Sequence, residues 1–114
     1  MTAAERFFLQ ELPAAIIRDL QRFRLLSGTL AFSCAGEKYT VRLGDLDAPV
    51  ILGFERAADV KVWFFGDAFE RFIRGEKVSG KKHVMVQGDL DVLERFGRLL
   101  VTAQNAVSIR LRGN

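Results

Sequence analysis

Between Asp59 and Leu100 the chain reads as a strand, a short capped helix, a Gly-Lys loop, a second strand and a second capped helix. Trp63, Phe64, Phe65, Phe69, Phe72, Ile73, Leu93, Phe96, Leu99 and Leu100 load this stretch with apolar surface. That much apolar surface on short elements has to be buried by laying helices against a sheet. No catalytic or metal-binding set of side chains accompanies it. The pattern points to a protein that holds an apolar molecule rather than one that transforms a substrate.

The pattern before Asp59 fills in the rest of the domain. Residues 1–28 read as a helical segment. Thr2 followed by Glu5 is a capping box, and Phe8, Leu12, Ile16, Leu20 and Phe23 form one stripe. Pro13 either kinks this helix or stands in the first turn of a second one, and Ser27-Gly28 stops it. Strict alternation in Leu30–Ala35 and again in Lys38–Leu43, around a turn at Ala35-Gly36-Glu37, predicts an antiparallel hairpin. Val50–Phe54 is apolar on both faces and reads as a strand covered on both sides. In the next strand Val60, Val62 and Phe64 point one way, Trp63 and Phe65 the other.

The later helices carry clear boundaries. Asp67 with Glu70 three residues on predicts a capped start for a helix over about 67–74, with Phe69, Phe72 and Ile73 on one face and Gly75 as its end. Val84–Gln87 reads as a strand, Gly88-Asp89 as a turn, and Asp89 or Asp91 as the cap of a helix over 89–107. Leu90, Leu93, Phe96, Leu100 and Val101 form its apolar stripe. Gly97 within that helix costs roughly 1 kcal/mol relative to alanine. The segment 108–114 fits no element. The expectation is one α+β domain, 1–114, with a mainly antiparallel five-stranded sheet over 29–87 and helices packed on one face. A cavity between the layers is where an apolar ligand would lodge.

Size and composition limit the function classes. A chain of 114 residues suits one core. With 49% hydrophobic and 27% charged residues it is a soluble globular domain. Its ten phenylalanines can build a large core or leave it open around a ligand. No apolar run approaches the roughly 20 residues that span a bilayer. Glu5, Arg6 and Glu11 interrupt the start, unlike a secretory signal. The final Arg-Gly-Asn is not a peroxisomal address. Cys34 is the single cysteine, so no internal disulfide forms, and a cytoplasmic location is the default. The net charge of +3 is gathered in Lys77, Lys81 and Lys82 and in the arginines after Glu94. These clusters suit a solvated face or an anionic membrane surface, and lack the aromatic stripe of a nucleic-acid binder.

Other chemistry is poorly supported. Gly75 to Lys81 matches G-x-x-x-x-G-K, but it follows a helix and precedes a strand, the reverse of a phosphate-binding loop, and Lys82 stands where Ser or Thr belongs. His83 has no spaced partner for a metal or for base catalysis. Cys34, on the inward side of its strand, reads as a small buried hydrophobe. Asp45 with Asp47, and Asp89 with Asp91, suit a loop and a helix start better than paired acid-base chemistry. No catalytic residue, metal or cofactor is expected.

The succession Ala58-Asp59-Val60, then Ile73-Arg74-Gly75-Glu76-Lys77 at a helix end, then Val84-Met85-Val86-Gln87-Gly88-Asp89 before an amphipathic helix, resembles the type-2 sterol carrier protein family. The likeness runs from about Leu30 to Leu100 and rests on the order and spacing of short motifs. It implies a non-enzymatic carrier of a sterol, fatty acid, acyl-CoA or isoprenoid lipid. Carried onto this chain, the lining would be Phe64, Phe69, Phe72, Ile73, Val86, Leu93, Phe96 and Leu100. A headgroup or membrane would meet Lys77, Lys81, Lys82, Arg95 and Arg98. Trp63, Phe64 and Phe65 are bulkier than the small and β-branched residues common at that strand in the family. Rings of that size could fill the space a lipid needs. The alternative is therefore an accessory module with a filled core, a homodimer or a partner of an enzyme of lipid or quinone biosynthesis.

Overall fold

A computed structural model describes residues 1–100 of the chain. The N-terminal segment is broken into α1 (Ala3–Arg6), a π-helical turn (Phe7–Glu11), α2 (Leu12–Arg18) and α3 (Leu20–Leu25). Thr2 caps α1, its Oγ1 accepting the Glu5 N–H at 3.1 Å. The π turn ends at Glu11, two residues before Pro13, which stands in the first turn of α2. Widening the turn accommodates the proline ring against the preceding carbonyls and removes a position where an N–H is needed. Asp19 (φ −127°, ψ 50°) then leaves helical geometry. The break shifts the phase, so Leu20, expected on the buried stripe, is exposed, while Phe23 is fully buried.

The strands are β1 (Gly28–Cys34), β2 (Glu37–Leu43), β3 (Val50–Leu52), β4 (Val60–Phe64) and β5 (Val84–Gly88), in the order β3-β2-β1-β4-β5. The hairpin β1–β2 is antiparallel, as are β2–β3 and β4–β5, but β1 pairs with β4 in parallel. The sheet is thus mixed, because the chain leaves β3 at one edge and crosses β2 and β1 before adding β4. Residues 53–59 make that crossing on the outer face. Thr40 ties it down, donating to the Gly53 carbonyl at 2.8 Å and accepting from the Glu55 N–H at 3.0 Å. Phe54 lays its ring on Trp63, centroids 5.6 Å apart. This cover explains why Ala31 and Thr40 are buried on the outer face. Asp59 closes the crossing by accepting the Thr29 N–H at 2.8 Å. Val50–Phe54 is therefore not a strand covered on both faces: β3 is a three-residue edge and Leu52 is exposed.

Leu30, Phe32, Cys34, Tyr39, Val41, Leu43, Val60, Val62 and Phe64 share the inner face, as the alternation requires, and all are buried. The helices pack there. Helix α4 (Ala68–Ile73) starts at Asp67, whose side chain makes no cap bond, contrary to the expected carboxylate cap. Its φ of −92° and ψ of 11° lie outside the extended range of a capping residue. The C-terminus of α4 is a Schellman motif: Glu76 N–H reaches the Arg71 carbonyl, Gly75 N–H the Phe72 carbonyl, and Gly75 takes φ +83°. Residues 90–100 form helix α5. Asp89 caps it, Oδ1 accepting the Asp91 N–H at 2.9 Å. Gly88 (φ +118°) lies so close to the Asp59 carbonyl that no Cβ fits. The Gly-Asp step is thereby a steric and a capping requirement together. In α5 the buried positions are Val92, Phe96, Leu99 and Leu100, whereas Leu90 is 65% exposed rather than part of the stripe. The expected helix end at 107, Val101 and the segment 108–114 lie outside the described residues.

Candidate functional site

The space between sheet and helices begins with an aromatic cluster. Phe8 from the π turn stacks on Tyr39 (4.5 Å) and Phe69 (5.5 Å) and tilts against Phe32 (5.2 Å). Phe69 meets Phe64 edge-on at 5.3 Å, and Phe96 of α5 meets Phe32 at 5.3 Å. The cluster joins the N-terminal segment, α4 and α5 to the middle of the sheet. Of the expected lining residues, Phe64, Phe69, Phe96 and Leu100 are buried in this core. Phe8 and Tyr39, absent from the expected lining, are central to it. Phe8 headed a helical stripe, and Tyr39 alternated with polar neighbours, so both signals were present.

Toward β5 the cover thins. Val86 shares the inner face with Val62, its register partner, yet Val62 is 1% exposed and Val86 38%. Phe72, one turn beyond Phe69, lays its ring 5.2 Å from Phe64 and remains 36% exposed. Ile73, Val84 and Leu93 are half-buried against the core. The expected lining therefore divides into a closed part centred on Phe69 and Phe96 and an accessible part containing Phe72 and Val86.

The expected basic contacts also divide. Lys81 and Lys82 are exposed in the turn that leads into β5, where His83 and Val84 N–H groups bond the Gly80 carbonyl. Lys77 is exposed just beyond α4. Arg95 donates to the Ser27 carbonyl at 3.4 Å, at the start of β1, and Arg98 bonds Glu94 at 2.7 Å. Because β4 runs parallel to β1 and β5 antiparallel to it, Ser27 and the Lys81–His83 turn lie at opposite ends of the sheet.

Among the described residues no buried side-chain nitrogen or oxygen lacks a partner, and no group of three His, Cys, Asp or Glu residues could hold a metal. Glu37 accepts from Thr2 Oγ1 at 2.7 Å and from the Tyr39 hydroxyl at 3.2 Å. Burial first, and then the bond to Glu37, raise the Tyr39 phenol to about 12. Burial, with Glu37 as a smaller cause, raises the Cys34 thiol to about 12. A thiol so placed is inert as a nucleophile. Glu76 is held below the usual carboxylate range by its bond to Arg74, a surface interaction at the end of α4. No helix among the described residues is long and apolar enough to cross a membrane.

No protein-family model matches the chain, and no curated protein matches it. Solved structures do. The sterol carrier protein domain 2 of Helicoverpa armigera superposes with a TM-score of 0.55 at 12% identity, over 84% of each chain. Sterol carrier protein 2 from Yarrowia lipolytica in its apo form superposes at 0.50 and 15% identity, over 88% of this chain and 85% of that one. A ubiquinone synthesis protein, UbiJ-SCP2, is 22% identical over 89% of this chain, with a TM-score of 0.48.

Proposed function

Starting from the sterol carrier protein 2 fold, we propose that this protein is a non-enzymatic carrier that binds a hydrophobic lipid tail between the sheet and the helix layer. The observation that carries the reading is the uncovered end of the inner face, where Val86 and Phe72 are accessible beside a fully apolar core. Among the described residues the buried polar side chains are already partnered, so a ligand inside would gain mainly apolar contacts. That suits a tail, each buried methylene contributing roughly 0.8 kcal/mol. The tail would enter past Phe72, Val86, Ile73 and Leu93. Deeper entry, toward Phe64, Phe69, Phe96 and Leu100, requires the rings of the central cluster to move apart. An acidic headgroup would remain outside, within reach of Lys77, Lys81 and Lys82 on one side or Arg95 and Arg98 on the other, and the same cations would meet an anionic membrane in the cytoplasm.

Delipidated protein titrated with labelled fatty acid, sterol and polyprenyl lipid tests the reading. Saturable binding of at least one supports it, and no saturable binding of any overturns it. The stacking of Phe8, Phe69 and Tyr39 favours a second reading, an accessory module with a filled core that supports an enzyme of lipid or quinone biosynthesis. Native mass spectrometry separates the two, since a co-purifying lipid belongs to the first and a clean, lipid-free dimer to the second.

A further inference from the structure

The two edges of the sheet are finished differently. Strand β3 has three residues, with Pro49 before it and Gly53 after it. Strand β5 has five, Val84–Gly88, with neither a charge nor a proline, and four of the five are exposed. Among the described residues no strand pairs with its outer side, and an open, largely apolar edge of this kind is a template for another strand.

The hydrogen-bond phase shows which groups the edge offers. Phe65 N–H donates to the His83 carbonyl and Asp89 N–H to the Asp59 carbonyl. In an antiparallel ladder this turns the peptide groups of His83, Met85, Gln87 and Asp89 toward β4. Those of Val84, Val86 and Gly88 face the open side. The Val84 N–H bonds the Gly80 carbonyl. The N–H and C=O of Val86, at the centre of the strand, are thereby presented as a pair.

We propose that this edge is an interface for the same edge of a second copy, paired antiparallel about a two-fold axis at Val86. Charge selects this partner and this direction. Lys81, Lys82 and His83 precede the strand; Asp89 and Asp91 follow it. A strand basic at one end and acidic at the other complements itself only when antiparallel. With Val86 opposite Val86, Val84 faces Gly88, so outward-facing residues meet outward-facing residues. The basic end of each copy then lies beside the acidic end of the other. The axis is normal to the sheet, so both helix layers stay on one side and the two Val86 side chains meet on the inner face. Met85, 46% exposed on the outer face, is covered by the same pairing. The interface goes beyond the carrier reading and stands without any lipid.

Sedimentation velocity on the full chain tests it. The expected result is a concentration-dependent shift from one to two chain masses, weakened by salt. Val86→Pro should abolish the shift while keeping the monomer's circular dichroism, since a proline whose nitrogen faces the open edge removes no bond from the β4–β5 ladder. Where that variant fails to fold, Val86→Cys gives an independent reading. Hydrogen-bonded antiparallel positions lie about 5.5 Å apart between Cα atoms, within disulfide reach. Oxidised glutathione should then link Val86→Cys into a covalent dimer and leave Met85→Cys, which is out of register with its own copy, largely unlinked. A chain that stays monomeric at every concentration overturns the proposal, as does equal cross-linking of the two variants.

Discussion

Phe8 and Phe69 stack with ring centroids 5.5 Å apart and planes 20° from parallel, joining the N-terminal π turn to the short helix that follows β4. Sixty residues of chain separate the pair in sequence, and neither helix is long enough to be stable alone. The stack, with Tyr39 and Phe32 beneath it, is what seats both helices on the sheet.

Replacing Phe8 by alanine should therefore cost about 3–5 kcal/mol. Phe8 is fully buried and touches four rings. Equilibrium unfolding in urea, followed by circular dichroism, measures it. Phe65→Ser, at a 40% exposed ring outside the core cluster, should change the midpoint less. Comparable losses for the two would show that the cluster does not hold the helices.

The Gly-Asp step makes a second test. A methyl group at position 88 meets the Asp59 carbonyl and the Val60 Cα, and the backbone there has φ +118°. Position 53 has φ +107° with open space around it. Gly53→Ala should then cost only conformational strain, about 1–3 kcal/mol. Gly88→Ala should cost more, because strands β4 and β5 must separate. Thermal melts of the two variants give the order, and equal melting temperatures would contradict it.

Alkaline pH should destabilise the fold. Cys34 and Tyr39 are both raised to about 12 from ordinary values of 9.0 and 10.0. The unfolded chain releases both protons first, so their contribution is intact below pH 9 and is lost as pH climbs toward 12. Urea midpoints measured from pH 8 to 11 should fall, and the fall should be shallower in Tyr39→Phe. The Cys34 thiol should resist alkylation by iodoacetamide until the protein unfolds. Fast labelling of the native chain would show that the strand end opens.

How far these features could be read from residues alone depends on the range of the interaction. Alternation in Leu30–Leu43 and the Val60–Phe64 pattern assign the inner face correctly because side-chain direction in a strand is a local property. Gly75 marks the end of α4 because a backbone at φ +83° favours glycine, which is also a local property. The parallel β1–β4 pairing depends on where residues 53–59 cross the sheet, and no local pattern records that path. Asp67 shows the reverse limit: the residue type suits a cap, but the turn from Phe65 sets a backbone that cannot use it. Within the candidate site, each apolar residue was legible as apolar. Which rings close the core, as Phe69 and Phe96 do, and which remain accessible, as Phe72 does, depends on Phe8 arriving from a distant helix.

That division also predicts how lipid binding should respond to substitution. Phe72 is 36% exposed and lays its ring on Phe64, so Phe72→Ala should lower the melting temperature, but less than the loss of a fully buried ring does. Only the exposed third of the ring is left for a tail to cover, worth about 0.5–1 kcal/mol, a loss of roughly two- to fivefold in fatty-acid affinity. Val86→Glu, measured at a concentration where the chain is monomeric, places a carboxylate beside the same path and should weaken binding further without unfolding, because the position is 38% exposed. Phe96→Ala should behave oppositely. It opens space beside Phe32, lowers stability by about 3–5 kcal/mol, and gives a longer tail room to enter. Fluorescent fatty-acid titration of the three variants, paired with melts, separates entry from packing. Unchanged affinity in both Phe72→Ala and Val86→Glu would place the ligand somewhere other than the β5 side of the helix layer.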